Sequence, residues 1–149
     1  MSFLVSLKEF NNHLLKKENI FFFIFIIIIF FLDRYSKILI IDKYTDGVHY
    51  VNDFINLDLI WNIGIGFGFL STASSLFYNL ISLVIGMVIL LLIFIFNKAD
   101  KIDKIIYSII IGGALGNFYD RIVYKAVPDF IDIHYNNFHW FTFNLADVF

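Results

Sequence analysis

The side chains able to do chemistry stand out against an apolar background, and the first of them form a pair. Asp33 and Lys37 are four residues apart in a run that otherwise reads as a membrane helix, so they share a face and can form an ion pair. An ionisable group at membrane depth is costly unless paired or hydrated, which makes each one a functional candidate. Two roles are open for this pair: anchoring the helix end at the interface, or taking part in chemistry. Gly113, Asn117, Asp120 and Arg121 follow helical spacing later in the chain and give a second polar face. Two such faces at one level point to a shared polar cavity. Asp129, Asp132 and Asp147 come next. The last follows Asn144 by three residues, a spacing that also reads as a capped helix start with an acid in its first turn. Ser36 beside Lys37 makes no nucleophile–base dyad, because neighbours on a helix point about 100° apart. His49, His134 and His139 have no H-E-x-x-H pattern and no ligand pair at helical spacing, so no metal is expected. The absence of cysteine excludes disulfides and thiolate zinc sites.

The elements that position these groups follow from hydropathy. Of 149 residues, 60% are apolar, 20% aromatic and 16% charged, with mean hydropathy +0.80, too apolar for a soluble domain of this size. A net charge of −2 provides no basic field, and nucleic acid is not an expected partner. Spans are predicted at about 20–41, 76–96 and 105–119, the first of them long enough to cross a hydrocarbon core of roughly 30 Å at about 1.5 Å per residue. A cleaved signal peptide is the competing reading of the first, but no small-x-small cleavage site follows it and charge lies near its far end. Gly112 and Gly116, four apart in the third span, leave room for a neighbouring helix. Lys8, Lys16 and Lys17 before the first span, and Lys98, Lys101 and Lys104 between the second and third, outnumber Lys43 in the long connection over 42–75. The amino terminus is therefore expected inside, and residues 42–75 and those after Asp120 outside. Both outer regions alternate: Leu57, Leu59 and Trp61 against Asn56, Asp58 and Ile60, and Ile131, Ile133 and Tyr135 against Asp132 and His134. These predict small strands or hairpins, with Asn136-Asn137 as a turn.

Five stretches in this order resemble the lipoprotein signal peptidases of bacteria, also called type II signal peptidases. They are Asp33-Arg34-Tyr35-Ser36-Lys37, Asn62-Ile63-Gly64-Ile65-Gly66-Phe67-Gly68-Phe69-Leu70, Gly112 through Arg121, Val127-Pro128-Asp129-Phe130, and Phe143-Asn144-Leu145-Ala146-Asp147. The resemblance implies one membrane domain over 1–149. Its class is an all-α multi-pass helical bundle with the amino terminus inside, three of four spans present and a small outer-face β-cradle. It implies an aspartyl endopeptidase of the bacterial inner membrane, its site at the outer face, that removes the signal peptide from diacylglyceryl-modified prolipoproteins just before the lipidated cysteine. The implied partners are that substrate and membrane lipid; a monomer without metal or cofactor is expected. By motif, Asp129 and Asp147 are the catalytic pair. Asn117, Arg121 and Asn144 hold the substrate backbone or orient the carboxylates, Asn62 and Gly64 line the pocket, and Ala146 belongs to the supporting set. Asp120 is the near competitor for the first catalytic position, and spacing does not separate it from Asp129. Asp33 and Lys37 then support the fold.

Three departures from the family pattern matter. Pro128 replaces the usual valine, and Gly64-Ile65-Gly66-Phe67 replaces Gly-Ala-Ala-Phe. The sequence also stops two residues after Asp147, where the family continues into a fourth span. Asp147 is then expected to be tethered but not oriented, and the product weakly active or an inactive truncated peptidase. The rival from another class is a non-enzymatic membrane protein, a transporter subunit or assembly factor. A proton path, however, needs ionisable groups on both sides of the midplane, and the second and third spans have none in their interiors.

Overall fold

The computed structural model of the protein describes residues 17–44, 46–64 and 75–149. Lys8, Lys16 and residues 65–70 of the loop motif lie outside the described residues. Three long helices are present, α1 (Lys17–Lys43), α2 (Ser75–Lys98) and α3 (Lys101–Tyr124). The third begins four residues before the predicted span and ends five after it. Its start is set by Asp100, in extended conformation, with Asp103 in the first turn. Its end is set by Lys125, whose left-handed φ of 58° turns the chain into the following strand.

The helices alternate in direction. At one end Lys104 donates to the Asn19 side chain at 2.8 Å, and at the other Lys37 donates to Asn117 at 2.7 Å, so α1 and α3 run parallel. The Phe22 and Phe96 rings meet edge to face at one end, while the Tyr78 hydroxyl donates to the Arg121 carbonyl at the other. The second helix therefore runs antiparallel to its neighbours. Phe22, Ile26, Phe96 and Ile111 form the buried cluster where all three meet. The Gly112–Gly116 stripe is where α3 lies against α1. A Cβ on Gly112 would stand 2.6 Å from the Ile29 Cβ, and one on Gly116 would strike the Asp33 carboxylate. Elsewhere the helix surfaces are apolar, with Phe21, Phe31, Leu83 and Leu90 each at least 59% exposed. Tyr78–Lys98, with mean hydropathy 2.9, is the one segment among the described residues long and apolar enough by itself to cross a membrane.

The two outer regions join into a single antiparallel sheet rather than separate hairpins, which makes the described chain helical and sheet together rather than all-α. Its strands, in order, are β1 (His49–Asn52), β2 (Ile55–Asn62), β3 (Val127–Tyr135) and β4 (Phe138–Phe143). Asn136, at φ 50°, lies in the β3–β4 turn. Simple apolar-in, polar-out alternation fails here, because Asn56 and Asp132 are both buried and bond each other at 3.2 Å. A bulge also shifts the β2–β3 register between Leu57 and Ile60, just before the strand reaches Asp129.

Candidate active site

The site begins at Lys37, whose ammonium is fully buried. It donates to Asp33 Oδ2 at 2.8 Å and to Asn117 Oδ1 at 2.7 Å. Asp120 Oδ2 lies 2.8 Å away, an ion-pair contact without hydrogen-bond alignment. Arg34 closes the charge balance by pairing with Asp120 Oδ1, and its guanidinium lies 4.7 Å from the Tyr119 ring centre. Two cations thus face two carboxylates across the α1–α3 seam. Such a cluster is strongly destabilised if one member is removed, because the remaining charge is left buried.

From this cluster two bonds reach the end of the chain. Asp33 Oδ1 accepts from the Ala146 backbone N–H at 3.0 Å, and Asn117 Nδ2 donates to Asp147 Oδ1 at 2.9 Å. Leu145–Asp147 forms one 3-10 turn, capped reciprocally: Asn144 Oδ1 accepts from Ala146 N at 2.9 Å, and Asp147 Oδ2 accepts from Asn144 N at 3.1 Å. This corrects the expectation that Asp147 is left unoriented. One bond from α3 and one from the cap fix both of its oxygens.

Asp129 is the third residue of β3 and is held between two amides. Asn62, the last residue of β2, pairs in register with Val127, which makes Asp129 its diagonal neighbour on the sheet. Asn62 Nδ2 donates to Asp129 Oδ2 at 2.8 Å, and Asn144 Nδ2 donates to Oδ1 at 2.6 Å. Burial pushes the Asp129 carboxyl up to about 6; the Asn144 and Asn62 donors oppose this, the Asp147 charge adds to it, and Lys37 opposes it. Arg121 donates to the Asn117 carbonyl at 3.1 Å and to the Gly64 carbonyl at 3.3 Å, while Gly64 N–H donates to Asn62 Oδ1 at 2.9 Å. Arg121 therefore ties the chain after β2 to α3, and among the described residues its buried Nε has no hydrogen-bond partner.

The structure brings Asn62, Gly64, Asn117, Arg121, Asp129, Asn144, Ala146 and Asp147 into one hydrogen-bonded region. Asp120 lies in the Arg34–Lys37 cluster instead, with both oxygens facing cations. Asp33 and Lys37 are more than a helix-end pair, since they reach Ala146 and Asn117. Arg34 was missed: no local spacing links it to a partner 86 residues away.

Residues 25–149 match the family model for signal peptidase (SPase) II. The chain is 50% identical over 123 residues to the lipoprotein signal peptidase of Pelagibacter ubique, covering 80% of this chain and 74% of that one. It is 40% identical over 122 residues to that of Anaplasma marginale, covering 80% and 71%. A bacterial membrane enzyme solved by the in meso method at 2.3 Å has a similar fold, with TM-score 0.70 and 28% identity over 85% of this chain and 78% of that one. The match takes in every polar group of the site, and the chain belongs to the signal peptidase II family.

Proposed function

We propose that this chain is a multi-pass aspartic endopeptidase that cuts diacylglyceryl-modified prolipoproteins before the lipidated cysteine, with Asp129 and Asp147 as its catalytic pair. One domain over 1–149 carries the site, at the outer face of the bacterial inner membrane, and works as a monomer on substrate delivered through lipid. The observation that carries the reading is Asn144. Its side chain bonds one carboxylate and its backbone N–H the other, so a single residue sets the two acids against each other.

The chemistry follows from their unequal surroundings. Asp129, pushed up to about 6, is the member that takes a proton near neutrality, and substrate that displaces water raises it further. Asp147, exposed and accepting from two donors, is the base. It removes a proton from water, and the water oxygen bonds to the scissile carbonyl carbon. Asp129 donates its proton to the carbonyl oxygen as the tetrahedral intermediate forms. Collapse re-forms the carbonyl and breaks the C–N bond: one hydroxyl proton of the intermediate returns to Asp129, and the proton gained by Asp147 passes to the leaving amine. The Lys37 cluster takes no proton. Through Ala146 and Asn117 it fixes the turn that carries the base.

The test is cleavage of a lipid-modified precursor by membranes containing equal amounts of protein. Asp129→Asn and Asp147→Asn are each expected to lower the rate by about 100- to 10,000-fold, the usual worth of a general acid or base. Retained turnover in either variant, or loss in Asp120→Asn with Asp129→Asn active, rejects the assignment.

A further inference from the structure

On the β3–β4 hairpin, apart from the carboxylate pair, a second group of side chains converges. Asp132 and His134 are two residues apart on β3, and His139 of β4 is the register partner of His134. Strand period two and cross-strand pairing thus bring all three to one face. No helical spacing relates these three residues; the strand geometry does. The β3–β4 register shift adds its extra residue to β4, and that between β2 and β3 adds its extra residue to β2. Alternation along β3 is therefore unbroken, and Asp132 and His134 occupy the face opposite Asp129.

The donor atoms fit a small cation. His139 Nδ1 lies 2.8 Å and His134 Nδ1 3.9 Å from Asp132 Oδ2, and the three ligand atoms are within 4.8 Å of one another. Donors on tetrahedral zinc, with bonds of about 2.0 to 2.2 Å, stand about 3.3 Å apart, between the two distances found. The His134 side chain is only 10% exposed, and among the described residues its buried Nδ1 has no hydrogen-bond partner although it faces the carboxylate. A buried ring nitrogen in that condition is costly unless something takes up its lone pair or proton. The Asn56 amide donates at 3.2 Å to the same Asp132 oxygen, Oδ2, that the two histidines face, and so steadies the carboxylate from the neighbouring strand. His139 is 56% exposed and gives access from solvent.

We infer that Asp132, His134 and His139 form a binding site for a divalent transition cation of the zinc type, with water completing the coordination, that clips β3 to β4. Two imidazoles and one carboxylate select zinc, cobalt, nickel or copper over magnesium and calcium, which prefer oxygen donors. The cation is not routed into peptide hydrolysis. Its consequence is mechanical, because β3 carries Asp129 and β4 leads directly to Asn144.

The experiment uses the full chain in detergent, purified through a tag without histidine, with Co2+ as probe. The expected result is one equivalent of Co2+ with visible ligand-field absorption. Zn2+ displaces it and millimolar Mg2+ or Ca2+ does not, and Zn2+ raises the unfolding temperature reversibly on chelation. His139→Ala, at an exposed position that does not endanger folding, and His134→Ala should each weaken binding by about tenfold or more, while His49→Ala keeps it. No stoichiometric binding, equal competition by Mg2+, or binding indifferent to both His134→Ala and His139→Ala overturns the site.

Discussion

Asp129 has its protonation set by two opposed influences, burial on one side and two amide donors on the other. Donors to a carboxylate favour its charged form, so removing one raises the pKa further. If Asp129 is the general acid, kcat/KM of the free enzyme falls as pH rises through about 6. Asn62→Ala is then expected to move that alkaline limb to higher pH while lowering the maximum. A pH–rate profile in which Asn62→Ala leaves the limb in place, or moves it down, would show that Asp129 is not the group being titrated. The same raised pKa has a stability consequence of fixed sign. The folded chain holds this proton more tightly than the unfolded one, so the linked stabilisation is full below 3.8 and is lost as pH rises through about 6.

At the scale of elements, the site depends on how closely α3 approaches α1. Gly116 faces the Asp33 carboxylate, which cannot swing away because Lys37 and the Ala146 N–H hold its two oxygens. Gly112 faces the Ile29 side chain stem and the Ile26 carbonyl, equally unable to yield. A Cβ on Gly86 of α2 meets only the edge of the Phe118 ring, at 3.1 Å. Gly112→Ala and Gly116→Ala should therefore each cost about 1–3 kcal/mol by overpacking, and Gly116→Ala should also displace the turn bearing Asp147 and lower activity. Gly86→Ala should be tolerated. Thermal unfolding in detergent ranks the three, and Gly86→Ala proving the worst would contradict the packing described. This stripe was legible in the sequence because helical contacts repeat locally, as was the Asp33–Lys37 pair. The Arg34–Asp120 pair and the joining of β2 to β3 were not, since each sets partners 65 or more residues apart face to face and no local period encodes that. Buried Asn56 and Asp132 defeated the alternation rule for a different reason, namely that each satisfies the other.

For the whole molecule, the directions of the helices bear on how the bundle lies in the membrane. Parallel α1 and α3 with antiparallel α2 is the arrangement three successive crossings produce, and it gathers the sheet and both carboxylates at one end with Lys98, Lys101 and Lys104 at the other. If the basic residues stay on the cytoplasmic side, as is usual, the sheet faces outward, which is the orientation proposed above. α1 is the demanding element, since it carries Asp33, Arg34 and Lys37 within its length. Those charges are all 6% exposed or less and are met by Asp120 and Asn117 of α3, so in the multi-pass arrangement proposed above all three are kept from lipid. Because the chain has no cysteine, single ones report cleanly. In sealed cells an impermeant thiol reagent is expected to label Asn137→Cys, in the β3–β4 turn, and to leave Ala99→Cys, between α2 and α3, unlabelled until the membrane is opened. Labelling of Ala99→Cys alone would invert the protein and turn the carboxylate pair toward the cytoplasm. Equal labelling of both in intact cells would mean that α2 and α3 do not separate the two sides, and the proposed outer-face site would fall with them.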